Sequence, residues 1–228
     1  MKSGVSVTKI INSESSVEIY YGDSSEKFDL AVVATTGDVA QKILVNVSNN
    51  ARTMFEKLKY AKTMTVAFEI PSDLFPSKTH LTYVPFVENS VVSGYDNQIR
   101  KSAMLEKDGR SVLMVYLHEN AAEKLSLKPE TEAFNDVLSE LKKVCPEVRE
   151  HESEVKPLSC RYWSKAMPKF SSNYLEHVVN FENDGQGENN IYLAGDYLNS
   201  VWAEGAARCG KRVAEHIINN AKPQRNSS

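Results

Sequence analysis

Cysteine is scarce in this chain of 228 residues: there are three, Cys145, Cys160 and Cys209, far apart and odd in number. With no CxxC pair, neither a zinc site nor a disulfide framework is expected, and free thiols fit a reducing, cytoplasmic location. The five histidines, His80, His118, His151, His177 and His216, are equally scattered, so no metal centre is expected. Neither sign of charge is in excess. Lysine and arginine total 27 against 30 acidic residues, the formal net charge is −3, and the basic residues are spread along the chain. That balance gives no electrostatic footprint for nucleic acid or for an anionic membrane. No apolar segment approaches the length of a transmembrane span. Met1-Lys2-Ser3-Gly4 carries no apolar run of the signal-peptide kind. Peripheral membrane contact is left open. The tail is polar, and residues 223–228 are expected to be disordered.

What the chain has is enough length for one large domain or two modest ones. Val5 to Ile11 and Ser16 to Tyr21 read as a strand pair, with a turn over Asn12-Ser13-Glu14-Ser15. Phe28 to Thr35 is an apolar run interrupted by one Asp, the pattern of a central strand buried on both faces. Helices are expected from Gly37 to Val45 and from Asn50 to Leu58. The middle alternates: Thr63 to Ile70, His80 to Phe86, Ser111 to His118 and His151 to Trp163 read as strands, and Asp108-Gly109 as a hairpin turn. Pro157 marks the last of these as an edge or a bulge. Asn120 to Leu125 and Glu130 to Val144 read as amphipathic helices. The second carries a stripe of Phe134, Val137, Leu138, Leu141 and Val144 and is stopped by Pro146.

The stretch richest in chemistry runs from Ile191 to Asn220. A short buried strand, Ile191-Tyr192-Leu193-Ala194, ends at Gly195-Asp196; a loop follows, and Glu204-Gly205-Ala206-Ala207-Arg208-Cys209-Gly210 opens a helix. A carboxylate beyond a buried strand can accept hydrogen bonds from ribose or ribityl hydroxyls. A helix N-terminus adds free N–H groups and partial positive charge. Two glycine patterns here point elsewhere and fail. Gly185-Gln186-Gly187 precedes a strand instead of following one, so it is a loop rather than a dinucleotide fingerprint. Gly205 to Arg212 imitates a phosphate loop, but Arg212 stands where Mg²⁺ binding needs Ser or Thr, and Asp196 to Glu204 separate it from its strand. Gly205 and Gly210 are expected inside a helix.

Ala194-Gly195-Asp196 with Glu204-Gly205-Ala206 and the residues to Ala214 resembles the C-terminal FAD motif of the flavin amine oxidase superfamily, which includes protoporphyrinogen oxidases and phytoene-desaturase-like enzymes. Cys209 stands where that family usually has Ser. Asp29 to Thr35 is similar to the family's "D-x-V-I-x-A-T/P" strand, with Ile43-Leu44 in place of its Leu pair. Val5 to Ile10 resembles the preceding strand near the adenine, and Trp163-Ser164-Lys165-Ala166-Met167-Pro168 the "W-x-x-A-x-P" stretch. The glycine fingerprint GxGxxG that opens these enzymes is not in this sequence.

The resemblance implies an α+β or α/β fold: a partial FAD-binding, Rossmann-like domain over residues 1–47 and 186–222, with an inserted substrate-binding domain of mixed sheet and helices over 48–185. It implies FAD, a small-molecule substrate and, as a further partner, the missing N-terminal dinucleotide-binding segment. Cofactor contacts are then expected from Val7, Ala34, Gly195, Asp196, Trp202, Gly205 and Ala206, and substrate contacts from Tyr162 and Trp163. The implied reaction passes a hydride from substrate to flavin, in a protoporphyrinogen-oxidase-like or amine-oxidase-like enzyme. No catalytic base is identified. On this reading the chain is the C-terminal part of a longer enzyme, inactive by itself and not retaining FAD. The alternative is a non-catalytic interaction module keeping a relict FAD cleft.

Overall fold

The computed structural model describes residues 1–12, 16–76 and 78–220. The chain forms two compact units, Met1–Lys59 with Met167–Ser228, and Tyr60–Ala166.

In the first unit, β1 (Val7–Asn12), β2 (Val17–Tyr21) and β3 (Ser24–Phe28) form an antiparallel sheet in that order. A second sheet consists of β4 (Ala31–Val33) and β10 (Ile191–Leu193), which are parallel. Around them lie α1 (Gly37–Ile43), α2 (Asn49–Lys57), α6 (Ser172–Asp184) and α7 (Ala203–Asn220). The Ser48 hydroxyl caps α2 by accepting from the Ala51 N–H at 3.1 Å. Met54 and Phe55 of α2, Tyr174, Val178 and Phe181 of α6, and Cys209 and Val213 of α7 share one core with Ala31, Val33, Ile191 and Leu193. On α7 the buried residues Gly205, Cys209 and Val213 recur every four positions, as one helical face requires.

β10 is held from both sides. One side is β4, with Ala194 N–H donating to the Val33 carbonyl at 3.0 Å. On the other, the Gln186 amide donates to the Leu193 carbonyl at 2.8 Å and accepts from the Leu193 N–H at 2.9 Å. A single side chain thus does for this buried edge what a neighbouring strand would do.

The second unit is a five-stranded sheet in the order β6 (Leu81–Tyr83), β7 (Val92–Asn97), β8 (Arg110–Leu117), β5 (Tyr60–Pro71), β9 (Lys156–Pro168). Met64, Val66, Phe68 and Ile70 of β5 and Leu113, Val115 and Leu117 of β8 point to one face. There they pack on α3 (Glu119–Leu125), α4 (Glu130–Val144) and α5 (Pro146–Glu150) through Ala122, Leu125, Phe134, Val137, Leu141 and Val148. Glu130 and Glu132 in the first turn of α4 and Lys142 and Lys143 in its last complement the helix dipole. Pro157 lies on edge strand β9, as expected. Asp108 and Gly109 both have positive φ, 52° and 70°, and turn the chain between the bridged pair Lys107 and Arg110.

Several expectations need correction. The run from Phe28 to Thr35 is not a strand buried on both faces. Phe28 ends β3, pairing with Val17, and only Ala31–Val33 forms β4, whose Val32 side chain is 45% exposed. The strand expected over His80 to Phe86 shortens to Leu81–Tyr83, and the one expected from His151 begins only at Lys156, after a helical turn at Glu152–Glu154. Pro146 does follow the end of α4, but it also opens α5, where its missing N–H costs nothing. Strands β3 and β7 and helix α6 were not expected. The unit boundaries also differ from those expected at 47/48 and 185/186, because α2 and α6 pack in the core of the first unit. Ser13 to Ser15 of the expected turn and the tail 223–228 lie outside the described residues.

Gln186→Ala would strand the buried N–H and carbonyl of Leu193. The expected loss is about 1–3 kcal/mol of unfolding free energy, read as a lower urea midpoint at unchanged slope.

Candidate functional site

Two parallel strands end side by side in the first unit, and each is followed by a helix. β4 runs out at Ala34, which is exposed, and leads to α1; β10 runs out at Gly195 and leads, after a turn, to α7. In open α/β sheets the carboxyl ends of parallel strands, with helix N-termini beside them, form the ligand-binding side. The parallel register Leu193↔Val33 sets Ala34 and Gly195 at neighbouring strand ends.

Asp196 opens a short helical turn, Asp196–Leu198, that carries the chain from β10 toward α7. Burial pushes its carboxyl above the usual carboxylate range, against the pull of hydrogen bonds from the Tyr197 and Asp196 backbone. Among the described residues no lysine or arginine pairs with it. A partly desolvated carboxylate without a cation is a cost that the free protein bears. Its neighbour Tyr197 is tightly packed. The Tyr197 ring is fully buried 6.4 Å from Phe55, and its carbonyl accepts from the Tyr174 hydroxyl at 2.7 Å.

Both glycines flanking this turn are demanded by close approach. A Cβ on Gly195 would lie 2.4 Å from the Tyr197 ring. On Gly205 it would lie 2.2 Å from the Ser200 hydroxyl and 2.3 Å from the Ser200 carbonyl oxygen. The α7 N-terminus is thereby drawn against the loop, and the Asn199 amide fastens it by donating to the Gly205 carbonyl at 3.0 Å. Cys209, one turn further on, is fully buried and receives a hydrogen bond from the Gly195 backbone; burial raises its thiol pKa above the ordinary cysteine value. A sulfur that stays protonated here ties the helix to the strand end and is no nucleophile.

Gly195, Asp196, Gly205 and Ala206 therefore come together, with Ala34 at the adjoining strand end. Trp202 stands directly before α7, 62% exposed, and its carbonyl accepts the Ala206 N–H. Val7 lies in the antiparallel sheet opposite Tyr21, while its strand joins the shared core through Ile10. Tyr162 and Trp163 belong to the other unit and, as successive strand residues, face opposite ways. Tyr162 packs on that unit's core; Trp163 is 40% exposed, donates to the Thr65 hydroxyl at 3.1 Å and lies under the Arg161 guanidinium at 4.2 Å. The two cannot share one wall of a cavity. Sequence reasoning missed Asn199, Ser200 and Tyr197 as shapers of the site. Their signal is only their position between the Gly-Asp strand end and the Gly-Ala helix start.

The profile of the family described as flavin containing amine oxidoreductase matches residues 1–218. Among solved structures, the A394C mutant of putrescine oxidase, from work on redesign of cofactor binding, is similar at a TM-score of 0.71 and 15% identity, over 94% of this chain and 48% of that one. A protein of Exiguobacterium sp. 255-15 assigned as a protoporphyrinogen oxidase gives a TM-score of 0.72 at 15% identity, over 93% of this chain and 46% of that one. A fatty acid isomerase of P. acnes that produces CLA gives 0.63 at 17%, over 96% and 48%. The chain spans about half the length of these structures. A comparison with curated proteins by sequence finds no match.

The close approach at Gly205 predicts a contrast within one helix. Gly205→Ala should destabilise the protein by about 1–3 kcal/mol, the range for overpacking, because the clash is with backbone. Gly210→Ala, with open space around its Cβ, should gain about 0.5–1 kcal/mol. Thermal midpoints of the two variants moving in opposite directions would bear this out.

Proposed function

The chain belongs to the flavin-containing amine oxidoreductases, and from that premise we propose that its first unit is one wall of an FAD cleft and its second unit the substrate-binding part of the same enzyme. The observation that carries this reading is Asp196: a partly desolvated carboxylate that pairs with no cation among the described residues, at the carboxyl end of a parallel strand pair, beside the start of an 18-residue helix. It fits a ligand that brings hydroxyl donors to the carboxylate and an electron-rich edge to the helix. FAD offers both, through its ribityl chain and the pyrimidine end of its ring.

In this reading Asp196 accepts hydrogen bonds from ribityl hydroxyls. The start of α7 at Gly205 and Ala206 offers N–H groups and partial positive charge where negative charge collects. The glycines at 195 and 205 let the strand end close on Tyr197 and the start of α7 close on Ser200, which fixes the backbone frame that the ligand would meet. Ala34 and Val7 line the same side, and exposed Trp202 covers the ring. Bound FAD would supply the chemistry, acceptance of a hydride from the substrate, while this chain's residues orient it and set its electrostatics. The substrate is proposed to be an amine or a porphyrinogen, with Trp163 on the open side of β9 as a contact and Tyr162 supporting it from the core. A pyrophosphate-gripping GxGxxG segment is not in this sequence, and the solved structures it matches are about twice its length. We therefore propose that the chain alone holds FAD weakly and does not turn over substrate, and that the enzyme works in the cytoplasm.

Asp196 gives a test in two parts. In the complete enzyme Asp196→Ala should weaken FAD binding by about 1.5–3 kcal/mol, roughly 10- to 100-fold in Kd, read as flavin absorbance remaining after gel filtration. Unchanged flavin content would remove Asp196 from the cofactor site. In flavin-free protein Asp196→Asn should leave stability unchanged or raise it at neutral pH. The sign follows from burial: a carboxyl whose folded pKa is raised binds its proton more tightly when folded, so stability falls as pH rises from the unfolded pKa through the folded one. Removing the charge removes that loss. A variant less stable at pH 7 would mean that the carboxylate serves the fold.

A further inference from the structure

The second unit contains a small polar cavity that the cofactor reading does not use. It lies between the β6–β7 pair and α5, and its volume is about 70 Å³. A cavity of that size is well above what one water-sized body needs. Thr82, Tyr95, Asn97 and Glu147 line it, with the Phe75 ring, stacked 6.3 Å from Tyr95, as its apolar wall.

Asn97 is the first sign of an occupant. It is 4% exposed, and neither its amide oxygen nor its amide nitrogen has a hydrogen-bond partner. Buried amides are rarely left so, because each unpaired group costs about 1–3 kcal/mol. Charge is the second. Glu147 receives only the weak Cys145 thiol, at 3.6 Å, and among the described residues no lysine, arginine or histidine pairs with it. The Tyr95 hydroxyl and the Cys145 thiol beside it stay neutral. Burial pushes the Tyr95 hydroxyl up to about 12 and the Cys145 thiol up to about 11. His80, also in the lining, has its Nε2 3.1 Å from the buried Asp96 carboxylate, which Lys101 also pairs with. The cavity thus presents several oxygen ligands, among them a carboxylate that no cation among the described residues pairs with, although Arg100 donates to the Phe75 carbonyl at its rim.

We propose that this cavity binds a monovalent cation of alkali-metal or ammonium size, held by the Glu147 carboxylate, the Asn97 amide oxygen and the Thr82 and Tyr95 hydroxyl oxygens. Calcium sites draw on several carboxylates, and here there is one; among the described residues no group of three or more His, Cys, Asp and Glu could hold a metal ion. The cation joins β7 to α5, so its effect is on the fold of the second unit. It involves none of the proposed flavin contacts, and either reading can fail without the other.

The test is thermal unfolding of the full chain in the chlorides of sodium, potassium, ammonium and choline at one ionic strength. At least one small cation should raise the midpoint saturably over choline; at about 100 times its Kd it favours the folded state about 100-fold, a shift of several degrees. Glu147→Gln should abolish that difference while leaving the midpoint in choline near the parent's. Glu150→Gln, an exposed acid on the same helix, should keep it. Equal midpoints in all four salts would overturn the proposal and leave the cavity to water. So would a cation effect that survives Glu147→Gln or is lost in Glu150→Gln.

Discussion

The structure of the first unit depends on one pairing, the parallel contact of β4 with β10. Three residues near the start of the chain, Ala31–Val33, meet three near its end, Ile191–Leu193. Parallel strands cannot be joined by a tight turn, and here the connection holds the whole second unit as well as α1, α2 and α6. So short a ladder is weak by itself. Its strength comes from what surrounds it: the Gln186 clamp on the outer edge of β10, and a core in which both strands pack with α2, α6 and α7. Once the two strands are parallel, their carboxyl ends lie on one side, and both following helices begin there.

That geometry explains the odd economy at the strand ends. Gly195 yields its side-chain space to Tyr197 and Gly205 to Ser200, while Asn199 and Cys209 sew the loop and helix to the strand. The backbone around Asp196 is tightly packed; the carboxylate itself is partly desolvated, and among the described residues no cation pairs with it. Sites that bind and catalyse are where proteins tolerate such local cost. In the second unit Asn97 is also buried with both amide atoms unpaired, beside a small cavity that Glu147 also lines.

Much of this was legible from residues. The bounds of α4 follow from its apolar stripe and from Pro146, and the helical character of Gly205 to Gly210 from the distance to the preceding strand. What escaped did so for physical reasons. β3 is Ser-Ser-Glu-Lys-Phe, mostly exposed, and is a strand only because its backbone pairs with β2. β7 carries Asp96 and Asn97 inside the sheet, where propensity argues against a strand and pairing with β8 decides otherwise. In α6 the stripe Tyr174, Val178, Phe181 is blurred by exposed Leu175 and Val179 beside it. The run ending in Val33 suggested burial on both faces, but a run of apolar residues does not say how many neighbours a strand has. β4 has one, and Val32 is exposed. The strand end at Gly195-Asp196 and the helix start at Gly205-Ala206 were legible as a motif; that Tyr162 and Trp163 diverge follows only from the strand they share.

Hydrogen exchange on this chain as FAD is titrated to saturation tests the central claim most directly, because it reports where the ligand binds without requiring turnover. The account predicts slowed exchange at the backbone amides of Ala34 to Gly37 and Gly195 to Ala206, the two strand ends and the helix starts beside them. Unchanged exchange there, or protection confined to residues 60–166, would contradict it.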